Sequence, residues 1–183
     1  MTRPTPDQWY YRPFTPPPWE TTDDRTRGGS SQSCLSPLPN NGASFTGTLD
    51  IKTLGGAGFA SQFSPHNDNR DEGTSKAEIA RITTKGEEAW NLSAYDGIEI
   101  SLGKGDGKLY TLILKDEKSP SEREDGRKQA SINWEVDFEA GRDGGKVWKP
   151  WTDFKATYRG KDKEDAGSLR TEHVRRIGIM MRR

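Results

Sequence analysis

The sequence predicts an all-β sandwich of jelly-roll type, and three observations carry that expectation. From Phe45 onward, apolar residues recur at every second position, the period of a half-buried strand. Only 30% of the 183 residues are hydrophobic and 31% are charged, too thin a supply for the continuous apolar stripes of a helical bundle. Turn-rich or charged stretches separate the alternating runs, which leaves about eight strands and little helix.

The first nineteen residues, MTRPTPDQWYYRPFTPPPW, hold six of the eleven prolines together with Trp9, Tyr10, Tyr11, Phe14 and Trp19. Repeated proline keeps such a segment extended, so it cannot form the amphipathic, arginine-rich helix of a mitochondrial presequence. Residues 1–19 are therefore expected to be a disordered proline- and aromatic-rich arm, with a second reading in which its rings clip onto the domain or a partner. One domain is expected over residues 20–183.

Within that domain FTGTLDI places Phe45, Leu49 and Ile51 on one face, and GFASQF continues with Phe59 and Phe63. AEIARI at 77–82 is a further strand candidate. IEISL at 98–102 turns Ile98, Ile100 and Leu102 inward, whereas LYTLIL at 109–114 is apolar on both faces and should lie centrally. ASINWEVDF alternates with Ala130, Ile132, Trp134, Val136 and Phe138 inward. VWKPWTDFKATYRG and RRIGIMMRR supply the remaining strands, with Ile179 in the core. The segment at 115–128, KDEKSPSEREDGRK, reads as a solvated loop.

Composition excludes several functions. Lysine plus arginine and aspartate plus glutamate balance at 28 each, so no net field favours nucleic acid or anionic lipid. Cys34 is the single cysteine and the histidines are two, which leaves no internal disulfide and argues against a structural zinc site. Asp23, Asp24, Asp96 and Asp106 form no recognisable loop of calcium ligands. No apolar run reaches the ~20 residues of a membrane span, and the N-terminus lacks a signal peptide's apolar core.

ISLGKGDGKLYTLIL at 100–114 raises the question of a phosphate-cradling loop. A P-loop needs GxxxxGK, then Ser or Thr, then a helix; here Lys108 is followed by Leu109, Tyr110 and a strand pattern. The expectation is instead a tight hairpin over Gly103–Lys108, joining two paired strands. Glu135 and Asp137 share a strand face roughly 6.5–7 Å apart, near the separation used by inverting glycosidases. Alternation alone accounts for that face, so it is read as solvated, and no catalytic, cofactor-binding or metal-binding residue is assigned. Trp90 and Trp134 are expected in the core.

Taken together, several stretches resemble the NADH:ubiquinone oxidoreductase (complex I) intermediate-associated protein 30 family. They are DDRTRGGSSQS at 23–33, FTGTLD at 45–50, GGAGFASQ at 55–62, LSAYDGIEISLGKGDGKLYTLILKDE at 92–117, ASINWEVDF at 130–138, WKPWTDFKATYRGK at 148–161 and RRIGIMM at 175–181. The resemblance implies a galactose-binding-like sandwich and a non-enzymatic assembly factor, or chaperone, that binds complex I subunits or intermediates in the mitochondrion. Against the family pattern, a further strand is expected beyond Arg183. A cytoplasmic paralogue is the alternative location, and a carbohydrate-binding module the alternative function. A small-molecule ligand is not expected. The partner surface is expected at Trp148, Trp151, Phe154, Tyr158 and Arg159, where aromatics, a rigid proline and an arginine combine.

Overall fold

A strand that is apolar on both faces must be covered on both, and LYTLILK meets that requirement at the centre of a sheet. The computed structural model describes residues 19–39, 42–65, 89–118 and 129–183. In it the strands run β1 (Glu20–Asp23), β2 (Gln32–Pro37), β3 (Ala43–Thr48), β4 (Phe59–Phe63), β5 (Gly97–Leu102), β6 (Leu109–Lys115), β7 (Asn133–Glu139), β8 (Gly145–Pro150), β9 (Lys155–Tyr158), β10 (Lys161–Asp162) and β11 (Arg176–Arg182). The main sheet is seven-stranded in the order β1-β4-β11-β6-β7-β9-β10, and two further sheets, β2-β3 and β5-β8, have two strands each. Every pairing among the described residues is antiparallel. Among the described residues the only helical turns are short 3-10 segments.

The all-β sandwich predicted above is therefore present. Leu112, Leu114, Trp134, Val136, Phe138 and Phe154 form the core beneath one face of the main sheet, with Val174. Ile98, Ile100, Leu102 and Val147 pack on them from the β5-β8 sheet, while Phe45 of β3 meets Tyr110 edge-on at 5.8 Å. Among the other expected core residues, Ile132 and Ile179 are partly buried against this cluster. Leu49 and Ile51 follow the end of β3 half-exposed, and Ala130 is exposed ahead of β7. Trp134 is buried as expected; Trp90 is half-buried and packs against the same core. The strand candidate at 77–82 and the arm up to residue 18 lie outside the described residues.

One expectation is overturned. IEISL and LYTLIL do not pair with each other: β5 pairs with β8 and β6 with β7 and β11. Residues 103–108 thus form an arch between two sheets. The local turn chemistry is the same, and the choice of partner is made by packing far along the chain. The arch leans on the β7-β8 turn, with Gly105 N donating to Gly141 O and Gly107 N to Ala140 O. A Cβ at Gly105 would overlap the Ala140 carbonyl, which is why glycine stands there. Lys108 ion-pairs with Asp106 at 2.7 Å and the chain continues as a strand, so no helix terminus faces the loop.

The opposite face of the main sheet is buried too. Phe63, Ile113 and Met180 form a second cluster, joined by Phe59. Gly178 lies opposite Phe63 in the ladder, and a Cβ there would collide with the ring. The Arg176 guanidinium lies 4.7 Å and the Lys115 ammonium 5.6 Å from the Phe63 ring centroid, so two cations stack on the ring that closes the cluster. Lys115 donates to Ser131 Oγ at 2.8 Å. Burial, reinforced by the charge of Arg176, pushes its amine down to about 8.

The DDRTRGGSS stretch is explained by a buried carboxylate. Asp24 is 0% exposed and accepts hydrogen bonds from Ser31 N at 2.9 Å, Ser31 Oγ at 2.6 Å and Phe59 N at 3.3 Å. A Cβ at Gly29 would overlap this carboxylate, so only glycine fits. Ser31 Oγ in turn accepts from Asp50 N at 3.0 Å. Hydrogen bonds from Ser30 and then Thr53 hold the Asp50 carboxyl well below the usual carboxylate range. These contacts lock β1, β2 and β4 together.

Two predictions follow from these interiors. Asp24→Ala strands the Ser31 and Phe59 amides and should cost about 3 kcal/mol in urea unfolding. Between about 8 and 10.5 the unfolded chain keeps the Lys115 proton that the folded chain has shed, so this group makes stability rise with pH across that window. Lys115→Met should flatten the rise by on the order of 2 kcal/mol relative to wild type, read as denaturation midpoints at the two ends of the window.

Candidate functional site

The chain from β8 to β10 carries all five residues expected to form a partner surface. Strand alternation turns Val147 toward the core and Trp148 outward. Trp148 is 48% exposed and is the one exposed aromatic ring among the described residues. It stands opposite Glu99 in the ladder, and a Cβ at neighbouring Gly97 would run into its ring. Glycine at 97 therefore leaves room for the edge of the indole as well as for the facing β8 backbone. Beside it Lys146 bridges to Glu99 at 2.8 Å, an exposed pair that adds little stability.

Past Pro150 the chain leaves the small sheet through a 3-10 turn, Trp151–Asp153, and enters β9 of the main sheet. Trp151 joins the two. Its Nε1 donates to Tyr95 O at 2.6 Å and its amide to Asp96 O at 3.1 Å, while its ring packs on Phe154 at 5.8 Å. Phe154 is only 6% exposed and belongs to the core, which corrects its placement on the contact surface: the residue that follows the turn points down between the sheets. Trp151 is half-buried.

Tyr158 and Arg159 lie elsewhere, at the tip of the β9-β10 hairpin. Tyr158 pairs with Lys161, and the two intervening residues, Arg159 and Gly160, have φ of 53° and 77°, the signature of a two-residue primed turn. The Arg159 guanidinium sits 5.3 Å from the Tyr158 ring. Among the described residues no ring contact links Trp148 to either pair. The structure thus divides the five into an outward indole, a structural joint and a hairpin tip.

Glu135 and Asp137 also differ from expectation. The face that carries them is not uniformly solvated: the Glu135 side chain is 4% exposed and Asp137 52%. Glu135 accepts from Thr157 Oγ1 at 2.7 Å and Asn133 Nδ2 at 3.1 Å, and Arg182 pairs with it at 2.5 Å. Asp137 accepts from Thr111 Oγ1 at 2.6 Å and, at 3.5 Å, from the same Arg182. Both oxygens of Glu135 are taken up by ladder neighbours, so the pair works as a cross-strand brace over β11, β6, β7 and β9. Alternation announced a polar face; it gave no sign that half of it would be buried.

The sequence pattern of the family described as Complex I intermediate-associated protein 30 matches residues 10–183. An uncharacterized protein of Schizosaccharomyces pombe is 34% identical over 183 residues, spanning 97% of this chain and 72% of the relative. Among solved structures, a family 11 carbohydrate-binding module of the cellulosomal cellulase Lic26A-Cel5E of Clostridium thermocellum aligns with a TM-score of 0.48 and 14% identity, over 91% of this chain and 79% of that one. A family 11 module from the same organism, in complex with a β-1,3-1,4-mixed-linked tetrasaccharide, aligns with a TM-score of 0.45 and 11% identity, over 91% and 81%. Likeness at this level says nothing about a ligand.

Separating joint from surface makes a stability test. Phe154→Ala should cost about 3–5 kcal/mol, whereas Trp148→Ala should cost less than about 1 kcal/mol. Equal losses in chemical denaturation would mean that Trp148 belongs to the core.

Proposed function

The chain belongs to the Complex I intermediate-associated protein 30 family, and from that premise we propose that it is an assembly factor that holds intermediates of mitochondrial respiratory complex I by binding, not by catalysis. The family match over residues 10–183 carries this reading. The surface agrees with it. Trp148 offers a large amphipathic ring on a strand anchored to the core, the kind of side chain that dominates protein contacts. Tyr158 and Arg159 supply a second, smaller contact at the hairpin tip. Trp151 and Phe154 act behind them by fixing β8 to the main sheet.

A carbohydrate-binding role would call for a row of exposed coplanar rings or an open groove of Asn, Asp and Arg. Here Trp148 stands without a second exposed ring among the described residues, and Asn133, Glu135 and Arg182 are spent on one another. The protein-binding reading is the one these side chains favour.

The test is to tag the full chain in its own cell, locate it, and quantify complex I subunits in what co-purifies. Enrichment of those subunits from mitochondria is expected, falling about tenfold or more for Trp148→Ala with the melting temperature held. A cytoplasmic protein that brings down no complex I subunit would end this reading.

A further inference from the structure

Strand pairing sets two cations face to face. Arg176 of β11 stands opposite Lys115 of β6 in the ladder, a like-charge cross-strand pair that costs stability. Both side chains turn to the face of Phe63, where the guanidinium lies 4.7 Å and the ammonium 5.6 Å from one ring centroid. Ile113, two residues before Lys115 on the same face, is 1% exposed and Phe63 is 5% exposed. The amine is thus held beside a permanent charge with buried apolar side chains next to it.

The two cations are provided for unequally. Arg176 donates to Ser64 O at 2.6 Å and to Glu20 Oε2 at 2.5 Å. The Lys115 nitrogen donates to a neutral hydroxyl, Ser131 Oγ, at 2.8 Å. Burial first, and then the charge of Arg176, hold the amine down to about 8 against the opposing pull of Glu117 and Glu135. A guanidinium does not give up its proton, so the member of the pair that turns neutral is Lys115. Lys115 is half-buried rather than sealed, unlike Ile113 and Phe63. Desolvation and a neighbouring cation are two devices that make a lysine a nucleophile.

We propose that Lys115 is a modification site whose amine is acylated by small acyl thioesters. The nitrogen lone pair attacks the thioester carbonyl, a C–N bond forms and the C–S bond breaks. Sulfur leaves as a thiol with the proton that nitrogen sheds. Acyl transfer suits this place better than condensation with an aldehyde. A Schiff base keeps a protonatable nitrogen opposite Arg176, whereas an amide is neutral and ends the opposition. The amide's remaining N–H still has the Ser131 hydroxyl as an acceptor.

The experiment treats the full chain with acetyl-CoA between pH 6 and 10 and follows each lysine by peptide mass spectrometry. At pH 7.5 Lys115 should gain acetyl about tenfold or more faster than the exposed Lys52, Lys104 and Lys161. Its rate should level off above about 8, where an ordinary lysine gains rate up to about 10.4. Arg176→Gln removes the facing charge and should cut that lead several-fold. Glu20→Gln breaks the same ion pair but keeps the guanidinium, so the lead should remain. Equal loss in both variants would mean that packing around the pair, not charge, sets the rate, and overturns the proposal. A wild-type Lys115 rate no higher than that of the exposed lysines overturns it as well. No complex I component enters the experiment, so its outcome is independent of the assembly reading.

Discussion

The fold turns on one strand whose side chains are buried on both sides. In β6, Leu112 and Leu114 point to one face and Thr111 and Ile113 to the other, and none of the four is more than 7% exposed. Such a strand has no stable place at an edge, so β7 and β11 must flank it and cover must be found above and below. On one side the β5-β8 sheet supplies that cover with aliphatic side chains, and β3 adds Phe45 against Tyr110. The other side is completed with fewer apolar residues, the charged ends of Lys115 and Arg176 stacking on the Phe63 ring. A chain that is only 30% hydrophobic builds two buried faces in this way.

Burying polar groups on that second face forces them to pair. Glu135 can be nearly sealed because Thr157, Asn133 and Arg182 meet its oxygens; left alone, a buried carboxylate would cost several kcal/mol. The same rule governs Asp24 at the other end of the sheet. Carboxylates that in the bare sequence resemble catalytic or metal-binding candidates are consumed in holding strands together.

The period of two made β3 to β9 and β11 legible, and the doubly apolar run identified the central strand. What stayed hidden was decided between distant residues. GKGDGK specifies a reversal but not whether the strands beside it pair, and here β5 finds β8 across the arch. β2, QSCLSP, escaped because only Leu35 and Cys34 interrupt its polarity, so its strand state rests on pairing with β3. Phe154 was misplaced for a similar reason. An aromatic four residues past a proline reads as surface until the angle of the intervening turn is known.

A two-stranded sheet is marginal by itself, which gives the joint at Trp151 its importance. Hydrogen bonds from Trp151 to Tyr95 and Asp96 pin the segment that leads into β5 against the end of β8, while Phe154 drives the far side of the turn into the core. The small sheet is therefore held at its end as well as by the Ile98, Ile100 and Val147 contacts beneath it. Trp148 projects from that supported sheet with one edge of its indole close to Gly97. Ordering side chains is part of the cost of association, so under the proposed partner-binding role the buried joint at Trp151 and Phe154 would bear on the exposed indole through the sheet that carries it.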